Sequence, residues 1–279
     1  MNEKVKPFLK CLDDKHKQVD NIKNMLPMGD RLIEPFVGTA SVFLNTNYPC
    51  YLLADINADL INLYKALAAY QDEFIDVCRG YFGVIHNNLS SYNYYRDVFN
   101  NTSLVNVTTA RRTKRAALFV YLNRHGFNGM TRYNAAGEFN VPYGYYEKPY
   151  FPEIEMQSFI TKVNSADLVE FRVSDFRETL TKANENDVIY CDPPFVPLSA
   201  TVNFTKYYGK EFTWHDQMEL FTICKQLRAG KNIPSIISNH YTKQSKPLYE
   251  GELFEMAKSF VTRSVAGRRK KVSELLARV

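Results

Sequence analysis

The segment Asp192-Pro193-Pro194-Phe195 has the residue types needed to hold an amino group on a flat ring. It follows the apolar run 187–191, which predicts a buried strand. The two prolines prevent the strand from continuing, so a stiff loop should present one carboxylate and one aromatic ring. A carboxylate and a backbone carbonyl can accept hydrogen bonds from an NH2 group, and an aromatic ring can stack on a base. A plain turn would explain the prolines but not the acid and ring beside them.

Three other segments place reactive side chains where a predicted strand ends. Glu34, Phe36 and Gly38 lie at a tight strand-to-helix turn, where a ligand can approach backbone amides. Asp55 ends the next strand, about 20 residues past that turn, where nucleotide-like cofactors have their ribose hydroxyls held. Residues 175–176, an acid and a ring, end a third strand and could bracket an adenine. Each segment also has a plain interpretation, as an ordinary turn, a helix cap or a core ring.

Strands and helices that alternate along the chain must position these residues. Strands are predicted at residues 31–36, 51–55, 168–173, 187–191 and 234–239, with a weaker one at 260–265. Helices are predicted at residues 58–69, 109–123 and 213–229, the last with a Thr-x-x-Asp cap and a stop at Gly230. This alternation indicates an α/β fold with a mostly parallel sheet covered on both faces.

The region from about residue 60 to residue 152 interrupts the alternation and is interpreted as an insertion. It is helical first, and residues 124–144 then form a loop and hairpin rich in Gly, Asn, Tyr and Arg. Arg132, Asn128 and Asn134 have the side chains that read purine edges in a major groove, and Phe127 could wedge into a base stack. Basic runs at 111–115 and 263–271 suit phosphate contacts, although each could equally be a solvated face.

The composition excludes several classes of protein. The 279 residues are 45% hydrophobic and 23% charged, with a net charge of +5, which is typical of a globular domain. No apolar stretch approaches the ~20 residues of a membrane span, and the first ten residues lack a signal-peptide core, so we expect a cytoplasmic protein. The five cysteines are scattered and form no CxxC, so we expect free thiols and no metal site.

The order of these segments resembles the Dam family of DNA adenine-N6 methyltransferases, which methylate adenine in GATC. The resemblance covers nearly the whole chain, in the order of the alpha group of these enzymes. The matching segments are residues 32–43 (LIEPFVGTASVF), 53–60 (LADINADL), 119–123 (FVYLN), 137–143 (GEFNVPY), 148–153 (KPYFPE), 188–195 (VIYCDPPF), 197–205 (PLSATVNFT), 237–240 (ISNH) and 270–276 (KKVSELL).

This resemblance implies a Rossmann-like methyltransferase fold that uses S-adenosylmethionine (SAM). Residues 1–59 and 153–279 would form the catalytic core, and residues 60–152 the target-recognition insert. The partner would be double-stranded DNA, with no membrane and no metal. The family's catalytic positions fall on Asp192, Pro193, Pro194 and Phe195. Its cofactor positions fall on Cys11, Lys15, Glu34, Phe36, Gly38, Asp55, Asp175, Phe176 and Asp192. Its DNA-contacting positions fall on Lys10, Arg124, Phe127, Asn128, Met130, Arg132, Asn134 and Tyr146.

The chain departs from the family pattern mainly at cofactor positions. Where the family has F-L-K-W-A-G-G-K, residues 8–15 read FLKCLDDK, which brings Asp13 and Asp14 towards the carboxylate of SAM. Ala40 replaces the second glycine of the F-x-G-x-G turn, and the loop at residues 266–269 is shortened. Two hypotheses follow: an active DNA adenine methyltransferase, or a Dam-like DNA-binding protein with weak or lost SAM binding that acts by occupying sites or binding a protein partner.

Overall fold

The computed structural model describes residues 4–11, 15–195, 206–208, 210–249, 253–263 and 269–279. Within them, the strands are β1 (Arg31–Glu34), β2 (Cys50–Asp55), β3 (Leu168–Val173), β4 (Asp187–Cys191), β5 (Lys206–Tyr207), β6 (Lys210–Glu211), β7 (Ser235–His240), β8 (Leu253–Arg263) and β9 (Arg269–Arg278). The α-helices are α1 (Val19–Met25), α2 (Ser41–Asn45), α3 (Ala58–Arg79), α4 (Leu89–Asn100), α5 (Thr109–His125), α6 (Glu153–Ser165), α7 (Phe176–Leu180), α8 (Trp214–Lys231) and α9 (Ser245–Tyr249). Three short 3₁₀ turns lie at Lys15–Lys17, Val84–His86 and Phe127–Gly129.

The main sheet has seven strands in the order β3-β2-β1-β4-β7-β9-β8. The first five are parallel, whereas β9 is antiparallel to β7 and β8 is antiparallel to β9. The chain moves outwards from β1 to β3 and then returns to β4 on the other side of β1. This reversal confirms the predicted mostly parallel sheet and creates a topological switch point between β1 and β4.

Helices cover both faces of the sheet because successive strand residues point in opposite directions. Ile33, Leu52, Ile189 and Ile237 pack with residues of α7, α8 and α9 in one buried cluster. Their strand neighbours Leu32, Leu53, Val188 and Ile236 belong to a second cluster, which includes residues of α1, α2, α3, α5 and α6. The second cluster continues into the predicted insert as far as Phe119, Tyr133 and Tyr143, so that region shares its hydrophobic core with the sheet.

The five main strand predictions are confirmed to within two residues at each end. The weaker strand predicted at 260–265 is part of β8, although residues 264 and 265 lie outside the described chain; β9 was not predicted. The predicted cap of α8 is confirmed, because Thr213 and Asp216 form a reciprocal capping box. The predicted stop at Gly230 is wrong. The helix ends at Lys231, and Asn232 takes the left-handed conformation that a short polar side chain tolerates.

The helix predicted at 58–69 is only the first part of α3, which continues to Arg79 past a kink at Gln71. The predicted loop and hairpin at 124–144 forms two isolated antiparallel bridges, Gly126 to Tyr143 and Tyr133 to Phe139. None of the described helices is long and apolar enough to cross a membrane.

Candidate active site

The switch point of the sheet brings two carboxylates to the same crevice. Glu34 is the last residue of β1, and Asp192 follows the last residue of the neighbouring strand β4. Because these strands are parallel, their carboxyl ends meet at one edge of the sheet, which is where open α/β sheets bind their ligands. The predicted strand-and-loop at Asp192 therefore delivers its carboxylate to the expected edge.

Asp192 lies in a compact ion cluster. Its Oδ1 is 3.1 Å from Nζ of Lys15, which is also 3.2 Å from Oε2 of Glu274 on β9. The same ammonium lies 3.9 Å from the centroid of the Phe195 ring, and the ring of His240 at the end of β7 packs against Phe195 at 4.4 Å. The Lys15 side chain is only 7% exposed. Burial alone lowers the pKa of Lys15, but Asp192 and Glu274 outweigh that effect and hold its pKa above the ordinary value.

Glu34 is buried beside this cluster. Its Oε1 has no hydrogen-bond partner among the described residues, while a backbone hydrogen bond from Phe43 reaches the side chain. Burial first, and then the nearby charge of Asp192, raise the pKa of Glu34 well above its usual range. A buried carboxylate with an unsatisfied oxygen is costly, so this position favours a donor or cation supplied by a ligand.

Two amides that the sequence did not single out support the Asp192 loop. Gln217 of α8 donates a 2.6 Å hydrogen bond to the carbonyl of Pro194. Asn239 of β7 donates to Oε1 of Gln217 at 2.9 Å, so strand and helix together hold the loop. Both amides are buried. In the sequence, the available signal for Asn239 was a polar residue within an apolar strand, because a buried polar side chain needs a hydrogen-bond partner.

Asp55 organises the turn after β1. Its Oδ2 accepts a hydrogen bond from the backbone N–H of Gly38 at 3.2 Å, and its Oδ1 accepts from Asn57 N–H at 2.9 Å. Asn57, rather than Asp55, caps α3 by accepting from the amides of Asp59 and Leu60. The carboxylate therefore joins β2 to the β1 turn, next to the crevice.

The predicted cofactor residues further along the edge meet in a group of rings. Phe36 stacks on the buried ring of Phe176 at 5.6 Å and meets Phe212 edge-on at 5.7 Å. Asp175 caps α7 and pairs with Arg177 at 3.1 Å. Both plain interpretations of residues 175–176, a helix cap and a core ring, thus hold in the structure. Cys11 is exposed.

Among the described residues, a single group of possible metal ligands comes together, at His215, Asp216 and Glu219. Their ligand atoms lie within 4.8 Å of one another. Arg177 already pairs with both Asp216 and Glu219, the latter at 2.6 Å, so these carboxylates serve a surface ion-pair network.

The turn after β1 contains two residues in the left-handed region, Gly38 at φ +47° and Ala40 at φ +62°. A residue with a side chain adopts this conformation at a cost of about 1–2 kcal/mol. Glycine avoids that cost, but it loses about 0.5–1 kcal/mol more conformational entropy on folding, so the net gain from a glycine is smaller. We therefore expect Ala40→Gly to stabilise the protein by up to about 1 kcal/mol in urea unfolding.

Gly38→Ala is the matched control for that prediction. A Cβ at Gly38 would meet no atom within 4 Å, so any cost there is conformational and the variant should be destabilised by about 1 kcal/mol. A loss of stability in Ala40→Gly would mean that the packing of the buried Ala40 methyl group outweighs its backbone strain.

Three predicted DNA-contacting residues meet at one point. Nζ of Lys10 donates to Oη of Tyr146 at 2.8 Å, and the same hydroxyl accepts from the backbone N–H of Asn128 at 2.9 Å. The buried amide of Asn123 bonds both the backbone of Lys10 and the carbonyl of Gly129, each within 2.9 Å. Gly129 must lack a side chain, because a Cβ there would lie 2.6 Å from the Lys10 side chain. The N-terminal segment is thereby joined to the predicted recognition loop.

The other predicted DNA-contacting residues surround this junction differently. Phe127 is 48% exposed, and Arg132 is exposed with its guanidinium held by Asn140 Oδ1 at 2.8 Å. The side chain of Asn134 organises its own turn, accepting from the amides of Ala136 and Glu138.

Two more of the predicted residues are only partly exposed. Met130 packs against the core, and Arg124 donates to the carbonyl of Phe8, with a pKa lowered by burial. Of the basic run at 111–115, Arg115 is buried against Asp59, whereas Arg111, Arg112 and Lys114 are exposed.

Several features of the sequence lie outside the described residues. They are Asp13 and Asp14, the segment 197–205 and the loop residues 266–268. Besides Gln217 and Asn239, the sequence reasoning missed Asn123 and Glu274 as members of the site, because their role depends on contacts between distant segments.

Comparison with known proteins identifies the family of this chain. The D12 class of N6 adenine-specific DNA methyltransferases matches residues 14–264. A DNA adenine methylase of Serratia marcescens is 44% identical over 277 residues, covering 99% of this chain and 98% of that protein. The DNA adenine methylase of Escherichia coli strain K12 is 43% identical over 278 residues, covering 99% and 95%. One from Vibrio cholerae is 42% identical over 277 residues, covering 99% and 96%.

The family match spans most of the chain and includes the strand ends, the Asp192 loop and the recognition loop described above. The chain therefore belongs to the D12 class of N6 adenine-specific DNA methyltransferases.

Proposed function

We propose that this protein transfers a methyl group from SAM to N6 of an adenine flipped out of duplex DNA, with GATC as its target sequence. The observation that supports this most is that Asp192, whose ion partner Lys15 lies over the ring of Phe195, is beside the buried, partly unsatisfied Glu34 at the switch point between β1 and β4. One crevice thus offers an amine acceptor next to a position suited to a cation.

The residues on the β1 side of the crevice fit SAM. Its charges include an ammonium, which suits the orphaned Oε1 of Glu34. The carboxylate of Asp55, at the end of β2, is in the position that holds ribose hydroxyls in related sheets. When bound, SAM supplies an electrophilic methyl group on a sulfonium. The half-buried ring of Phe36 and the β1 turn would position SAM next to the amine acceptor at Asp192.

The residues after β4 fit the adenine amine. The Asp192 carboxylate and the Pro193 carbonyl would each accept one N6 hydrogen, which favours the geometry that frees the lone pair from the ring. As the new C–N bond formed and the methyl carbon left the sulfonium sulfur, N6 would become cationic, and the fixed carboxylate would stabilise that charge until one N6 proton passed to solvent. Flipping the base costs a few kcal/mol, and stacking on Phe195, about 1–3 kcal/mol, helps to offset it.

Calorimetry of SAM binding to the DNA-free protein tests this proposal against the alternative of a DNA-binding protein without cofactor. We expect a saturable heat of binding that is weakened in Glu34→Gln. A protein that binds GATC duplexes but shows no heat at millimolar SAM would contradict the methyltransferase mechanism. Methylation of a GATC duplex, compared with one in which another base replaces the target adenine, then tests the sequence assignment.

Arg132 is expected to read a base rather than a phosphate, because its guanidinium is exposed and its orientation is set by two hydrogen bonds to Asn140. We expect Arg132→Ala to reduce discrimination between GATC and a singly altered site by about 1–3 kcal/mol in competition binding. Arg112→Ala, on an exposed face of α5, is the control and should leave the discrimination intact. An equal loss of affinity for both duplexes in Arg132→Ala would identify a phosphate contact instead.

A further inference from the structure

The ammonium of Lys15 makes contacts that the proposed function assigns to the adenine amine. It lies 3.1 Å from Asp192 Oδ1 and 3.9 Å from the centroid of the Phe195 ring. The side chain is 7% exposed, so these contacts are made inside the site and not at its rim. Family resemblance placed Lys15 among cofactor residues, whereas its contacts lie on the acceptor side.

The charge around Lys15 explains why it is held there when no base is present. Three acidic residues reach this crevice: Glu34 from β1, Asp192 from the loop after β4 and Glu274 from β9. All three interact electrostatically with the buried hydroxyl of Tyr190. His240, opposite Glu274 in the β7–β9 register, packs on Phe195 from the same side of the sheet edge. The carboxylates of Asp192 and Glu274 repel each other in this partly buried crevice, and a shared ammonium lowers that cost.

Glu274 gives this ammonium a second partner. Its Oε2 is 3.2 Å from Nζ, so the lysine is already shared between the two carboxylates. A base amine is neutral and uses the carboxylate of Asp192 and the ring of Phe195. If it enters, the ammonium can shift fully onto Glu274 and keep a carboxylate partner, while Asp192 accepts a hydrogen bond from the amine.

We propose that Lys15 is a positioning residue that occupies the amine position at Asp192 in the DNA-free protein and transfers to Glu274 when the adenine amine arrives. This inference rests on the proposed role of Asp192 as acceptor of the adenine amine. It makes entry of the base an exchange of partners, in which the ammonium keeps a carboxylate partner and Asp192 keeps a hydrogen-bond donor at each stage.

The test compares two equilibrium affinities measured without SAM, one for a duplex with adenine at the target position and one for the same duplex with purine, which lacks the N6 amine. The adenine-to-purine affinity ratio, compared between variants, isolates the contact made by the amine. Lys15→Met removes the competitor and should raise the ratio about tenfold, the effect of one charge-assisted hydrogen bond. Glu274→Gln weakens the second partner, retains Lys15 at Asp192 and should lower the ratio by about the same factor.

The exchange predicts that the two variants change the affinity ratio in opposite directions. A purely structural role for these residues predicts otherwise, because damage to the pocket would change the ratio in the same direction in both variants. Lys17→Met, an exposed lysine on the same 3₁₀ turn, should leave the ratio unchanged. Equal ratios in all variants, or a common direction of change, would overturn the inference.

Failure of the proposed function gives a different result. If Asp192→Ala leaves the ratio of the wild-type protein unchanged, the amine does not contact Asp192 and the acceptor assignment itself is wrong. If Asp192→Ala changes the ratio but Lys15→Met and Glu274→Gln do not, only the exchange is wrong. If Lys15→Met loses SAM binding but leaves the affinity ratio unchanged, Lys15 acts in cofactor binding, as the family resemblance implies, and the exchange is wrong.

Discussion

Asp192→Ala is expected to lower the rate of methyl transfer by at least about 10²–10³-fold, the usual cost of removing one fixed group that stabilises developing charge. The variant removes the proposed acceptor of one amine hydrogen and the charge that would face N6 as the bond forms. Lys15 retains Glu274, 3.2 Å away, so the crevice keeps an ion pair and the fold should persist. Single-turnover methylation of a target duplex, with DNA affinity measured in parallel, checks this result.

The affinity for DNA separates a catalytic from a structural role for Asp192. The predicted DNA contacts come from the N-terminal segment and the recognition loop, around Lys10, Asn128 and Tyr146. DNA affinity should therefore change by less than about fivefold, since backbone contacts supply most of it. Asp192→Asn is the matched control, because its amide oxygen still accepts one hydrogen bond and should retain part of the activity. A large loss of DNA binding in both variants would mean that Asp192 supports the fold.

Arg115→Met is expected to destabilise the protein by about 3–5 kcal/mol, the cost of breaking a buried ion pair from one side. Both carboxylate oxygens of Asp59 bond the Arg115 guanidinium, one at 3.0 Å, and the hydroxyl of Tyr133 donates to the same carboxylate at 2.8 Å. The guanidinium also donates to the carbonyl of Phe99 and packs 3.9 Å from its ring centroid. Without Arg115, Asp59 would be a buried charge among apolar residues of α3 and α5.

Thermal unfolding measures this effect, and we expect a lower Tm by roughly 10 °C for a chain of this size. Arg112→Met is the control on the same helix. Its side chain is exposed, so the change should lie within about 0.5 kcal/mol of wild type. Equal stability of the two variants would show that the Arg115 pair contributes no more than a surface charge.

The parallel core of the fold could be predicted because its signals are local. The apolar run 187–191 appears as the buried strand Asp187–Cys191, and the Thr213–Asp216 capping box forms as the spacing indicates. β9 escaped prediction because it begins with three consecutive basic residues and has no regular alternation of polar and apolar residues, and its pairing with β7 depends on distant segments. The end of α8 was placed at Gly230 because glycine is the usual stop, whereas the chain uses Asn232.

Residue types in the site were predictable, but their partners were not. The basic run at 111–115 looks uniform in sequence, yet Arg115 is buried while Arg111, one turn earlier on the same helix face, is exposed. Arg111 lies in the first turn of α5, before the stretch 115–123 that packs into the core. In the same way, Asn123 follows the apolar stretch of α5, and only the folded chain shows that it joins Lys10 to the predicted recognition loop.

The sequence by itself determined the family, the five parallel strands, and the stiff loop that carries Asp192 and Phe195, because proline geometry and apolar periodicity act over a few residues. Tertiary structure decided which charges meet Asp192. The switch point brings Glu34 beside it, and the N-terminal segment and β9 bring Lys15 and Glu274 from opposite ends of the chain. Electrostatic partners depend on distance in space, and no spacing along the chain predicts an ion pair between residues 15, 192 and 274.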